Sequence, residues 1–276
     1  MPIQFSKMHG AGNDFVVLDC RENKQLPDFD IIRQMGDRHF GIGFDQLLSI
    51  EDPVSEGAVA AYRILNQDGS FARQCGNGAR CVAHWLVLRG LVSTPSFAMD
   101  SPAGLIQVTH ANGLYTLSMG QPQFEPERIP LFAEKANLTY QLPIADQQVT
   151  FSAVSMGNPH AVIQVDNCFD APVAFWGQAL QASNVFPEGV NVGFAEVVTR
   201  QHIRLRVFER GVGETLACGT GACAAAVSFM RLGLVERSLD VHLPGGVLHI
   251  EWHNDAAEVL MTGPAVLVYN GEWLHD

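Results

Sequence analysis

Two stretches of this chain repeat one another: Cys75-Gly76-Asn77-Gly78-Ala79 and Cys218-Gly219-Thr220-Gly221-Ala222. Each runs into a segment of helical character, His84 to Arg89 and Val227 to Arg231, and each segment ends at a glycine, Gly90 and Gly233. Glycine is the residue that most easily takes the left-handed position closing a helix. The surroundings repeat in the same order. Gly12-Asn13 matches Gly157-Asn158, and Gly43 with Gln46 matches Gly189 with Asn191, so that Asn13 and Asn158, like Gln46 and Asn191, stand 145 residues apart. Asn66 and Glu209 each lie nine residues before their cysteine. Four matched points in one order mean two tandem copies of a single fold unit.

The repeat also defines a chemistry. A cysteine at the mouth of a helix sits beside unsatisfied N–H groups and the positive end of the helix dipole, which favours the thiolate. The same N–H groups form a seat for a carboxylate. A duplicated unit that offers an amide and a helix-capping thiol in each copy predicts a site between the copies, one thiol on each side. Charge enters only the second copy. His160 and Glu209 stand where the first copy has Phe15 and Asn66, as the differentiation of two similar thiols would require.

With 276 residues, the chain is long enough for two domains with ample cores. A composition 47% hydrophobic and 17% charged is that of a globular protein. The net charge of −12 argues against nucleic acid or an anionic membrane surface as a partner. The start of the chain has no basic stretch followed by an apolar run, and no window is apolar enough to span a bilayer. A cytoplasmic protein is therefore expected, its six cysteines reduced and not bridged.

Along the chain, strands are expected at 15–18, 46–50, 60–65, 97–99, 105–108, 114–118, 153–156, 161–165, 203–208, near 239–243, 247–252 and 256–262, and at 265–269. Helices are expected over 28–39, capped by Asp28, and near 174–182, besides the two behind the cysteines. Many short strands with one prominent helix per half predict an α+β fold. The proline-rich stretch from Gly120 to Pro130 is the boundary between the copies.

The motifs Lys7 to Phe15, Gly41 to Gln46, Asn66 to Ser70, Cys75 to Arg80, Gly157 to His160, Phe208 to Thr215 and Ala217 to Gly221 together resemble the diaminopimelate epimerases, cofactor-independent amino-acid racemases, nearly end to end. The resemblance implies two homologous domains, each a curved, mostly antiparallel sheet around a central helix, with the active site in the cleft between them. It also implies that the last strand returns to the first domain, giving residues 1–118 plus 264–276 and residues 119–263. It implies Cys75 and Cys218 as the acid–base pair, supported by His160 and Glu209. Asn13, Gln46, Asn66, Asn158, Asn191, Glu209 and Arg210 would bind substrate, and Gly76-Asn77 and Gly219-Thr220 would hold the reacting carboxylate. The activity implied is conversion of LL-2,6-diaminopimelate to the meso form in lysine and cell-wall precursor synthesis, by a homodimer without cofactor or metal. A proline or hydroxyproline racemase is the runner-up.

Residue chemistry is consistent with that activity. Inverting a carbon with a poorly acidic hydrogen usually uses pyridoxal phosphate on a Schiff-base lysine, but the chain has only Lys7, Lys24 and Lys135. Lys7 is expected to be a solvated charge at a strand end. Without an electron sink, a base and an acid must act on opposite faces. A zinc site from Cys75, Cys81, Cys218 and Cys223 is disfavoured, because helical spacings of six and five turn the members of each pair to different faces. Cys81 and Cys223 are expected to be structural, and Cys20 and Cys168 buried or incidental.

Overall fold

A computed structural model describes residues 2–22, 24–72 and 75–274. The chain divides into two compact units, Met1–Ser118 with Thr262–Asp276, and Met119–Met261.

The first unit contains β1 (Ile3–Gly10), β2 (Asn13–Asp19), α1 (Phe29–Gly36), β3 (Gln46–Glu51), β4 (Ala58–Asn66), β5 (Phe71–Ala72), α2 (Gly76–Leu88), β6 (Ser96–Ser101), β7 (Gly104–Ala111) and β8 (Leu114–Ser118). In the second unit follow β9 (Tyr140–Ile144), β10 (Gln147–Ser155), β11 (Pro159–Gln164), α3 (Val173–Ala182), β12 (Asn191–Thr199), β13 (His202–Glu209), β14 (Gly213–Thr215), α4 (Gly219–Arg231), β15 (Ser238–Leu243) and β16 (Gly246–Glu251). β17 (Leu260–Pro264) carries the chain back across the boundary, and β18 (Val266–Trp273) pairs antiparallel with β1 in the first unit. Pro126–Arg128 forms one turn of 3-10 helix in the proline-rich connection. Architecture and class are α+β, as expected.

Pairing within one unit repeats that within the other. β1–β2 is antiparallel, β2–β3 parallel, β3–β4 antiparallel and β4–β6 parallel. β10–β11, β11–β12, β12–β13 and β13–β15 follow the same order of directions. The register repeats too. Phe15 pairs with Gln46 as His160 pairs with Asn191, and Leu47 pairs with Leu65 as Val192 pairs with Phe208. The four matched sequence points therefore occupy equivalent places in two equivalent sheets.

β2 is buried on both faces, and strand alternation sorts its residues. Val16 and Leu18 pack with Ile32 and Met35 of α1 in one apolar cluster. Phe15 faces the other way, toward the first turn of α2, where a Cβ added to Gly78 would lie 3.4 Å from its ring. In the second unit, Ala161 and Ile163 pack with Val173 and Leu180 beside α3, so His160 turns to the opposite face, that of α4. α2 packs against β1, β2, β3, β8 and β18, and α4 against β10, β11, β12, β13, β15 and β16. A sheet whose distant strands all reach one helix must curl around it. α4 is accordingly buried along nearly its whole length, with alanine at 222, 224, 225 and 226 allowing close approach of the strands.

Some local expectations need correction. Asp28 stands at the N-cap of α1 but makes no side-chain capping bond, and the helix stops at Gly36, short of 39. The strand expected at 256–262 runs instead from Leu260 to Pro264. Lys7 is not a solvated charge. It lies in β1 between β18 and β2, 9% exposed, paired with Asp14 and donating to the Gly43 carbonyl.

Candidate active site

The two cysteines cap the two central helices by the same geometry. Cys75 and Cys218 are the N-cap residues of α2 and α4, both in extended conformation. Each sulfur accepts a backbone N–H from the third residue on, Gly78 at 3.3 Å and Gly221 at 3.4 Å. The glycines are required there. A Cβ on Gly221 would stand 3.2 Å from the Cys218 sulfur and 3.1 Å from Val207 Cγ2, and a Cβ on Gly78 would lie 3.1 Å from Leu48 Cδ2. This contact explains the repeated Cys-Gly-x-Gly spacing. Gly90 and Gly233 close the helices with φ of +70° and +73°. Arg73 and Gln74, the two residues before the first motif, lie outside the described residues.

In the first unit, the expected amides gather around Cys75. The thiol lies 3.6 Å from Asn13 Oδ1, to which Asn77 Nδ2 also donates at 3.3 Å. Asn13 Nδ2 donates to Asp45 Oδ2 at 2.7 Å. A carboxylate only accepts, so Asp45 fixes the amide with its oxygen toward the sulfur. Asp45 in turn pairs with Arg38, which also pairs with Asp14. Burial works against the Asp14 charge, but Arg38 and Lys7 hold its carboxyl down at about 2. Gln46 donates to Asn66 Oδ1 at 3.0 Å across the β3–β4 pair. Asn77 Oδ1 accepts at 2.8 Å from Arg80, whose guanidinium is fully buried and also reaches the Gly76 and Pro264 carbonyls.

The second unit surrounds its cysteine differently. Cys218 contacts Thr220 Oγ1 at 3.5 Å, and Thr220 accepts from Asn158 Nδ2 at 3.3 Å. Asn158 Oδ1 meets His160 Nε2 at 3.0 Å. Burial, and then the Arg210 cation, push the His160 imidazole down to about 3. A neutral ring with Nε2–H donating to Asn158 follows. Glu209, at the end of β13, accepts from Thr215 Oγ1 at 2.5 Å and from the Cys218 thiol. Asn191 is buried and accepts the Arg210 backbone N–H at 2.9 Å, while the Arg210 guanidinium bonds the Glu188 carbonyl.

The helix mouth does not prevail at Cys218. Burial pushes its thiol well above the ordinary value and the Glu209 carboxylate pushes it further, against the opposing bonds from Thr220 and the Gly221 N–H. Helix ends are worth typically ~0.3–1 kcal/mol, and taking a charge out of water costs several. The expectation that each helix favours a thiolate thus fails here. The group beside Cys218 is an anion, and the thiol keeps its proton.

Asp45, Arg80 and Thr215 escaped the sequence reading although all three stand in or beside the repeated motifs. For Arg80 and Thr215 the signal was a mismatch between copies: Arg80 corresponds in sequence to Cys223 of the second copy, and Thr215 to Ala72 of the first. Cys20, Cys81, Cys168 and Cys223 are buried. Burial raises the Cys20 and Cys168 thiols to about 11 and Cys81 still higher. Among the described residues, no group of three or more His, Cys, Asp or Glu side chains is arranged to hold a metal ion, and no helix is long and apolar enough to cross a membrane.

Known proteins resemble this chain closely. The family model for diaminopimelate epimerase matches residues 5–125 and 152–268. A diaminopimelate epimerase from Xanthomonas euvesicatoria pathovar vesicatoria is 58% identical over 274 residues, covering 98% of this chain and 96% of the relative. An O-ureido-serine racemase from Streptomyces lavendulae is 53% identical over 276 residues, covering 99% and 96%. Among solved structures, a probable proline racemase from Agrobacterium radiobacter K84 superposes with a TM-score of 0.72 at 16% identity, covering 99% of this chain and 93% of that one, a likeness of fold.

Proposed function

We propose, for a chain that belongs to the diaminopimelate epimerase family and is an isomerase, that it converts LL-2,6-diaminopimelate to the meso form with Cys75 and Cys218 as its two proton carriers. One observation carries the reading: two helix-capping thiols of like geometry stand among unlike neighbours, amides around Cys75 and a carboxylate at Cys218. Inversion needs one thiolate to take the α-hydrogen from one face and one thiol to return a proton on the other. Burial and Glu209 keep Cys218 protonated, so it is the acid of the resting enzyme and Cys75 the base. After turnover, Cys75 carries the abstracted proton and Cys218 is the thiolate, the state that runs the reverse reaction.

The N–H groups at Gly76-Asn77 and Gly219-Thr220 hold the reacting carboxylate and spread the charge of the carbanion. Asn13, Gln46, Asn66, Asn158, Asn191 and Glu209 bind the amino-acid ends, and Arg210 takes the distal carboxylate. No pyridoxal cofactor is needed. Lys7 is held in its pair with Asp14, and Lys24 and Lys135 are exposed outside every motif. A reducing cytoplasm suits two working thiols. Exposed Val266, Val268 and Tyr269 on β18 support a homodimer, which light scattering would test.

O-ureido-serine is the competing substrate, because a racemase of that name shares 53% identity over nearly the whole chain. Both substrates pass through the same inversion, and only the group at the far end differs. The test is kcat/KM for LL-diaminopimelate, O-ureido-L-serine and L-proline with no added cofactor. Diaminopimelate should lead by at least about a hundredfold, because a site built to pair a substrate group rejects the analogue that lacks it. A preference for either other substrate would overturn the assignment.

A further inference from the structure

The copy that gained a carboxylate also gained a hydroxyl to hold it. Asn66 in the first unit and Glu209 in the second occupy matched positions at the ends of β4 and β13. On the neighbouring short strand, Ile64 pairs with Ala72 and Val207 pairs with Thr215. Ala72 offers nothing to Asn66, whose amide is satisfied by Gln46 and Ser70. Thr215 instead lies diagonally across from Glu209, on the face of the hairpin that turns toward α4, since Val207 on that face abuts the first turn of the helix.

We propose that Thr215 is a positioning residue for the Cys218 half of the site: its hydroxyl, donating to Glu209 Oε1 at 2.5 Å, fixes the carboxylate that receives the Cys218 thiol. The proposal rests on the reading of Cys218 as a proton carrier. A carboxylate at a strand end with a single rotatable approach to a sulfur has other rotamers open to it. A charge-assisted hydrogen bond selects one and partly neutralises the anion. Cys218, at the N-cap of α4, lies against this carboxylate, and Arg210 follows it on the chain. The Arg206–Glu214 pair is on the opposite face of the hairpin by strand alternation. Thr215 donates to Glu209 from within the face that turns toward α4.

Losing the hydroxyl leaves the Glu209 charge without that donor, and its fuller negative charge opposes thiolate formation at Cys218 more strongly. The Cys218 titration moves up. Thr215→Val keeps shape and β-branching while removing the donor, and Thr215→Ser keeps the donor. Two measurements decide. The first is the pH profile of kcat/KM for LL-diaminopimelate. The second uses substrate-free protein: the ultraviolet titration of the Cys218 thiolate, taken as the difference from the same protein carrying Cys218→Ala.

Thr215→Val should lower kcat/KM about tenfold near neutrality and shift the alkaline limb upward by about one pH unit, the worth of a hydrogen bond to a charged group. Its Cys218 titration should shift upward as well, and Thr215→Ser should restore both. Unmoved profiles in Thr215→Val, or equal losses in both variants with unshifted limbs, would reduce Thr215 to packing and overturn the proposal. If the wild type failed to turn over diaminopimelate while the Cys218 titration still moved as expected, the substrate reading would fall and the Thr215–Glu209–Cys218 linkage would stand.

Discussion

His160 should make the protein labile to mild acid, and the other copy supplies the control. His160 is 1% exposed and its imidazole is held down at about 3, first by burial and then by Arg210. In the unfolded chain it titrates near the ordinary ~6.5. Between those values the unfolded chain binds a proton that the folded protein refuses, so stability falls as pH drops from about 6.5 toward 3. At ~1.36 kcal/mol per unit, the loss from this one residue is ~2 kcal/mol at pH 5 relative to pH 8, approaching ~5 kcal/mol near pH 3. The matched residue in the first unit is Phe15, fully buried in the same role against α2. His160→Phe therefore places a side chain the fold already uses and removes the titration. The Asn158 amide loses its partner, at a cost that does not vary with pH. Urea unfolding followed by circular dichroism at pH 8 and pH 5 gives the comparison. The wild type should lose ~2 kcal/mol more than His160→Phe over that interval. Carboxylate contributions are common to both proteins and cancel. Parallel losses in the two proteins would show that His160 is protonated in the fold, and the electrostatic account of this half of the site would be wrong.

Replacing Glu209 with Gln removes the anion beside Cys218 and should lower the thiol toward its ordinary range by about one unit or more, burial remaining. In the ultraviolet titration the Cys218 step should come at lower pH while epimerisation falls; an unchanged step would mean the carboxylate does not act on the sulfur. Gly221→Ala puts a methyl group 3.2 Å from the Cys218 sulfur and 3.1 Å from Val207. It should cost ~1–3 kcal/mol in stability and more than tenfold in turnover, and a variant with wild-type melting and activity would disprove the steric reason for the motif.

How much of this was legible in sequence follows from which interactions are local. The central helices were, because Cys75 and Cys218 at the caps and Gly90 and Gly233 at the ends mark them within a few residues. The repeat made the site register legible as well: Gln46 and Asn191 share a row with Phe15 and His160. β12 was missed, since Gly193 interrupts its apolar run, although its counterpart β3 was read correctly and the 145-residue offset pointed to it. β5 and β14, two and three residues long, carry too little pattern to read. Lys7 was misread because its burial comes from β18, which lies more than 250 residues away in sequence. The thiol of Cys218 was misread for the same reason. Its helix cap is local, but the burial and the Glu209 anion that outweigh the cap are set by β13 and the curled sheet.

The central claim is that two thiols, one for each face of the carbon, carry the protons. It is tested most directly by following LL-diaminopimelate in deuterated water, without cofactor, at low conversion. The account predicts that the meso product carries deuterium at the inverted carbon while the recovered LL substrate remains unlabelled, and that Cys75→Ala and Cys218→Ala each lose ~10²-fold or more in turnover. Product that kept the substrate's own hydrogen would mean a single base carries the proton across, and a cysteine variant with near-normal turnover would contradict the account just as directly.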